Sequence, residues 1–383
     1  MNTSFYHWFS AAAISCCIIS AARAEVAPPI AWAHTYGGSH DDGIKCIRQT
    51  RDGGFVFAGV SNSKDGDVSG NHGDNDYWVV KLDNNGAIQW SKSYGGSGDD
   101  ESNSIAQTND GGYIVAGLSN SHDGDVTGNH GDFDYWIVKL DPAGTLQWQK
   151  SLGGKNNDQA TSIQQASDGS YIVAGWSKSR DGDVKKHHGD TANADYWIVK
   201  LSSAGAIQWA KSLGGSADDF ATDIHQTTDE GYIVAGFSSS TDGDVKGRHR
   251  GGLTSDDWLV KLSSTGALQW AKCYGGSHYD CATSVQQTPE GGYIVAGYTQ
   301  SYGGDVKGNH GGPDYWIVKI AYDGTLQWSK TIGGDKGVSQ FGHLYANSFK
   351  ASSTRTIIPS VETPSGTLKP DFFSIVFIVN RRL

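Results

Sequence analysis

Two residue types recur in this chain at spacings that could do chemistry. The first is aspartate. Asp65-x-Asp67-x-Ser69-Gly70 with Asp76 at the twelfth position imitates a calcium-binding loop, and Asp123-x-Asp125-x-Thr127-Gly128 with Asp134 repeats it. Clustered carboxylates are what a hard cation needs, so calcium is the one cofactor these loops suggest. Three features weigh against it. The usual bidentate glutamate is missing, later copies place Lys246 and Lys307 near the fifth ligand position, and Gly303 replaces the first aspartate of the last copy. The competing reading is a turn network in which each aspartate accepts backbone N–H groups within its own loop. That reading is the stronger one, so no cofactor is expected.

The second residue type is histidine. His72, His130, His188, His249 and His310 occupy one equivalent position in successive loops, close to Asp74 and Asp132 in the first two. They suit a binding face better than a catalytic centre. An acid and a base must sit in unlike environments, and repetition makes these residues alike. No nucleophile triad, phosphate loop or zinc motif stands out. Catalytic residues are therefore not assigned. Trp176 and Tyr302 are candidates for stacking on sugar rings, with burial between neighbouring repeats as the alternative for both.

The elements that position these loops follow from a long repeat. Trp32, Trp90, Trp148, Trp209, Trp270 and Trp328 are spaced by 58 or 61 residues, which marks a stacked repeat architecture. Each unit carries four short strand-like segments. In the second unit these are Ser104 to Gln107, Gly112 to Gly117, Tyr135 to Leu140 and Leu146 to Trp148, joined by Gly-containing turns. Trp136, Val138 and Leu140 alternate with Tyr135, Ile137 and Lys139, so both faces of the sheet carry apolar side chains. Stacking sheet on sheet buries both faces, and closing the series into a ring protects the edges. The fold expected is an all-β propeller of four-stranded antiparallel blades. In such a meander the D-G-D-V loop and the Gly-Gly-Ser loop emerge on one face, and the tight turns on the other. The extra residues of the 61-residue intervals fall in the long loop, at 186–193 and 248–255, which marks the binding face.

Blade count rests on the ends. Full repeats occupy about 37–330. Residues 30–36 match a fourth strand with no blade of its own. Residues 333–383 form a degenerate unit in which Asp371 to Phe377 has strand rhythm and no fourth strand follows. The two fragments complement one another, so six blades are expected, with five and a loose tail as the alternative. Residues 25–383 are then a single propeller.

Residues 1–24 read as a signal peptide, with an apolar stretch from Ala11 to Ile19 and Ala22-Arg23-Ala24 as the cleavage site. Cys16 or Cys17 as a lipidation site is the alternative. Cys273 and Cys281 flank one Gly-Gly turn and form a candidate disulfide in an oxidising compartment. The net charge of −11 argues against nucleic acid, and no later stretch is apolar enough to span a membrane.

The G-G-S-x-x-D, Q-T-x-D-G-G-Y-I-V-A-G and D-Y-W-I-V-K-L-D-x-x-G phrases resemble repeats of bacterial secreted and surface proteins with propeller-like folds. The resemblance covers Ile30 to about Gly334. It implies the fold and export and carries no catalytic residues. The expected function is a secreted or cell-surface (cell-envelope) binding protein without catalysis that recognises glycans or another extracellular partner as a monomer. The alternatives are a polysaccharide-active or lactone-hydrolysing enzyme, whose site would break the repeat symmetry, and a structural protein-interaction module.

Overall fold

The computed structural model describes residues 32–249 and 254–334. Five four-stranded antiparallel sheets fill them, each in simple meander order. Sheet 1 is β1 (Asp42–Gln49), β2 (Phe55–Ser61), β3 (Asp76–Leu82) and β4 (Ile88–Tyr94). Sheet 2 is β5 (Asp100–Gln107), β6 (Tyr113–Ser119), β7 (Asp134–Leu140) and β8 (Leu146–Leu152). Sheet 3 is β9 (Asp158–Gln165), β10 (Tyr171–Ser177), β11 (Asp195–Leu201) and β12 (Ile207–Leu213). Sheet 4 is β13 (Asp219–Gln226), β14 (Tyr232–Ser238), β15 (Asp256–Leu262) and β16 (Leu268–Tyr274). Sheet 5 is β17 (Asp280–Gln287), β18 (Tyr293–Thr299), β19 (Asp314–Ile320) and β20 (Leu326–Ile332).

The alternating pattern buries both faces as its side chains dictate. Val56, Ala58, Tyr77 and Val79 of sheet 1 pack against Tyr113, Val115, Trp136, Val138 and Leu140 of sheet 2. Tyr135 and Ile137, on the opposite face of β7, pack against Trp197 and Val199 of sheet 3. One polar tie recurs in the three layers between sheets 1 and 4. The Tyr77 hydroxyl donates to the Trp136 carbonyl at 2.8 Å, with the two rings 4.6 Å apart. Tyr135 repeats this on Trp197, and Tyr196 on Trp258. A buried hydroxyl is thereby satisfied without breaking the strand ladder.

Two glycines of the repeated phrase have identifiable roles. Gly117 faces a β-bulge where the β5–β6 register shifts between Ser102 and Ser104, and a Cβ there would lie 1.9 Å from the Glu101 carbonyl oxygen. Gly144 turns with φ of +74° and seats the Trp90 ring of the preceding sheet, 3.0 Å from where its Cβ would be. The Trp90 indole donates to the Pro142 carbonyl beside it. Trp148, Trp209 and Trp270 seat on Gly205, Gly266 and Gly324 in the same way, so each is a rivet into the next sheet, whereas Trp328 is half exposed.

The expectation of six blades is corrected. The described residues hold five four-stranded sheets and no sixth. Residues 32–36 form no strand, although they fill the place of a fourth strand. Trp32 donates to the Asn84 carbonyl and Tyr36 to the Gly86 carbonyl, as Trp90 and Tyr94 do to the turn of sheet 2. Among the described residues, the side-chain bonds of Trp32 and Tyr36 tie this segment to the turn of sheet 1. The degenerate unit beyond residue 334 and the segment at 1–24 lie outside the described residues. No helix among the described residues is long and apolar enough to cross a membrane.

Candidate functional site

The repeated aspartates fasten the two loop families of one face to each other. Asp65 Oδ1 accepts the Ser39 N–H at 2.8 Å, and Asp123 Oδ1 accepts that of Ser97 at 2.7 Å. Asp67 and Asp125 receive the N–H groups of Gly37 and Gly95. The D-G-D-V loop therefore lies against the Gly-Gly-Ser loop of its own unit, which places both on one face. The ties run between loops rather than within one turn. These bonds favour the ionised form, so the Asp65 and Asp123 carboxyls sit below the usual carboxylate range.

Asp76 and Asp134 begin the third strands and are fully buried. Asp76 Oδ2 accepts both the backbone N–H and ring Nδ1 of His72, each at 2.8 Å. His130 on Asp134, His188 on Asp195, His249 on Asp256 and His310 on Asp314 repeat the arrangement. In three copies the far ring nitrogen faces an aspartate of the next unit: Asp125 for His72, Asp244 for His188 and Asp305 for His249. The five histidines are therefore loop latches with partly exposed edges. No group of three or more His, Cys, Asp or Glu residues among the described residues is placed to hold a metal ion. The calcium-loop aspartates have donors of their own.

A second carboxylate lies beside each latch. A Cβ at Gly95 would meet Asp100 at 2.5 Å and Asp76 at 2.7 Å, so two buried acids crowd one glycine. Asp100 Oδ2 accepts the Gly96 N–H and the Ser121 hydroxyl. Burial outweighs these bonds and pushes the Asp100, Asp158 and Asp280 carboxyls up to about 6, and that of Asp219 to about 7. Burial also raises the Asp76 and Asp134 carboxyls.

The remaining candidates divide. Asp74 and Asp132 are exposed on the loop face. Tyr302 is exposed there too, edge-on to His278 at 5.8 Å. Trp176 instead packs edge-on against Phe220 of the next sheet at 5.3 Å, so it is an interface residue. Cys273 and Cys281 are free thiols rather than a disulfide, and the Cys281 thiol donates to the Ala282 carbonyl. Burial pushes both thiols up. Where the loops of sheets 2 and 3 meet, Asn120, Gly131, Asp132, Phe133 and Asn157 line an open cleft of about 500 Å³.

The repetition hid one constellation. The first strands of successive sheets contact one another, so they lie innermost. At their fifth position stand Cys46, Ser104, Ser162, Asp223 and Ser284. Asp223 breaks the series. Its carboxylate accepts the hydroxyls of Ser162 and Ser284, the N–H groups of Ile224 and Val285, and lies 3.3 Å from His225 Nε2. Burial opposes its charge, but His225 and these donors prevail and hold it at about 2. A comparison of the five inner strands position by position would have exposed it.

Structure and site define an all-β, propeller-like repeat protein. No protein-family model matches the chain. A stretch of 136 residues is 32% identical to the regulatory protein FlaEY of Caulobacter vibrioides, covering 33% of this chain and 14% of that protein. The chain thus spans about one seventh of that relative's length. Among solved structures, a protein of unknown function from Bacteroides caccae is 11% identical with a TM-score of 0.43, covering 76% of this chain and 82% of the other. Hydrazine synthase of Kuenenia stuttgartiensis is 11% identical with a TM-score of 0.45, covering 75% and 65%. Drosophila Plexin A in complex with Semaphorin 1b is 8% identical with a TM-score of 0.44, covering 78% and 55%.

Proposed function

We propose that this protein is a secreted or cell-envelope recognition protein that binds glycan chains on its loop face without catalysis. The observation that carries the reading is the cleft between the loops of sheets 2 and 3. Its two amides and one carboxylate offer donors and acceptors for sugar hydroxyls, and Phe133 adds an aromatic surface. Asp132 is the exposed charge at its rim. Asn62, Asp74 and Asn75 occupy the corresponding positions one unit earlier, so related clefts can share one polymer. Weak single sites then sum to useful avidity.

The enzymatic alternative has one observation in its favour, the symmetry-breaking Asp223 and His225. Asp223 accepts four hydrogen bonds besides its ion pair, which leaves it no capacity to act as a base. Export rests on the residues of the first 24 positions.

The test is a glycan array probed with labelled protein in calcium-containing buffer, followed by the Asp132→Ala and Phe133→Ala variants. Retention of one glycan class that falls at least tenfold in both variants supports the reading. Absence of retention on every glycan would refute it.

A further inference from the structure

We infer that the inner strands form a carboxylate-binding site, in which His225 and Arg48 supply positive charge and the Gln164 side-chain amide supplies a donor. The site is separate from the loop-face cleft and does not depend on it.

The seventh position of the five inner strands reads Arg48, Ala106, Gln164, His225 and Gln286. All five are in register, each opposite the second residue of its neighbouring strand: Val56, Ile114, Ile172, Ile233 and Ile294. They therefore lie at one level around the axis. Gln164 and His225 are side by side at this level. The residues two positions earlier on the same strands, Ser162 and Asp223, are joined by a 3.0 Å hydrogen bond.

Three observations point to an anion. First, Gln164 Nε2 is buried and has no hydrogen-bond partner, a cost a structure rarely keeps without use. Second, His225 sits against Asp223. Burial works against its charge, but Asp223 prevails and raises its pKa. Third, Arg48 of β1 is near enough that its charge opposes protonation of His225. Sheets 1 and 4 are not consecutive in the stack, yet Arg48 and His225 stand at the same register of their inner strands.

The charges at this level are Asp223, His225 and Arg48. The adjoining residues of β9 and β17 are neutral: Ser162, Gln164, Ser284 and Gln286. A planar guanidinium and an amide match the two oxygens of a carboxylate better than an isolated ammonium would. A small organic carboxylate is the chemical class that fits, and a uronic acid is the member used to test it.

The repeat itself supplies a gentle variant. Gln already occupies this position in sheets 3 and 5 and Ser the fifth position beside it, so Arg48→Gln and the double variant Asp223→Ser/His225→Gln, which removes the buried acid together with its partner, retain side chains the architecture accepts. Calorimetric titration of D-glucuronate into the full chain at pH 6 and pH 8, with inorganic phosphate and D-glucose in parallel, is the experiment. Saturable glucuronate binding at pH 6 is expected, weaker at pH 8, weakened at least fivefold by either variant and absent for glucose. Equal binding of phosphate would overturn the carboxylate assignment in favour of a general anion site. No glucuronate binding, or binding unchanged in both folded variants, overturns the site. Circular dichroism checks that the variants fold. Loss of glucuronate binding with loop-face glycan binding intact would separate the two sites.

Discussion

Asp257 replaces a tyrosine, and restoring that tyrosine should stabilise the protein. Tyr77, Tyr135 and Tyr196 hold this position in sheets 1 to 3. Each donates its hydroxyl to a tryptophan carbonyl of the next sheet at 2.8–2.9 Å, with rings 4.5–4.6 Å apart. In sheet 4 the carboxyl of Asp257 is only 1% exposed, and its Oδ1 has no partner. Burial, with Asp280 and Asp256 nearby, drives its pKa well up. The space for a ring is marked by the neighbouring glycines. A Cβ at Gly117, Gly175 or Gly236 would meet the tyrosine hydroxyl within 2.8 Å, whereas the nearest atoms at Gly297 are all backbone. Removing an unsatisfied buried group recovers about 1–3 kcal/mol, and the new hydroxyl bond adds about 1 kcal/mol. The Tyr–Trp pair, here with Trp316, adds about 1 kcal/mol. Displacing Cys281 and Tyr298 to admit the ring costs about 1–3 kcal/mol. Asp257→Tyr should therefore gain about 2 kcal/mol, read as a higher urea midpoint at unchanged slope. A lower midpoint would show that neighbouring side chains already fill the space and would refute the vacancy argument.

Two further perturbations follow from buried charge. Lys261 Nζ is fully buried and held by both Asp229 oxygens, at 2.9 and 3.1 Å, and by the Leu262 carbonyl. Asp229→Ala strands this ammonium and should cost about 3–5 kcal/mol, while Lys261→Met should be near neutral; equal costs in urea melts would contradict this. The raised carboxyls set the pH dependence. Asp100, Asp158, Asp219 and Asp280 bind protons more tightly folded than unfolded, so their contribution is full below about pH 4 and is lost as pH rises through 6 to 7. A carboxyl raised by two pH units corresponds to about 3 kcal/mol. Below about pH 4 the lowered carboxyls of Asp52, Asp110 and Asp168 reverse the trend. Thermal stability should peak near pH 4–5 and decline toward pH 8, and a flat profile over that range would be the contrary result.

The local rules of the repeat were legible because each residue type has one physical job in all copies. Alternating Trp-x-Val-x-Leu and Tyr-x-Ile-x-Lys faces announced sheets buried on both sides, and β7 is buried along its whole length. The paired loops on one face also followed from strand order. Blade count was less legible, because residues 32–36 share the rhythm of a fourth strand and yet form no strand among the described residues. Among the histidines, the spacing located the loops, yet the latch required knowing that Asp76 folds back four residues onto the His72 backbone and ring. The aspartate spacing carried two readings, because a carboxylate that accepts N–H groups has the same sequence spacing as one that accepts a cation.

Repetition also conceals whatever departs from it. Ser, Ser, Asp and Ser at the fifth position of β5, β9, β13 and β17 reads as a polar site with some tolerance. In the structure the same change brings a charge into an environment built for hydroxyls. Ser104 accepts one N–H from the next inner strand, Ile163, at 3.2 Å. Asp223 performs that task toward Val285, gathers two hydroxyls, and still requires a counter-cation. His225 meets the requirement from the same strand, two residues on. A stitch between strands thus becomes an ion pair at the axis, and the imidazolium is directed to the level that Arg48 and Gln164 share. His225→Gln, which leaves Asp223 without its partner, should therefore lower stability, and Asp223→Ser with His225→Gln should restore it.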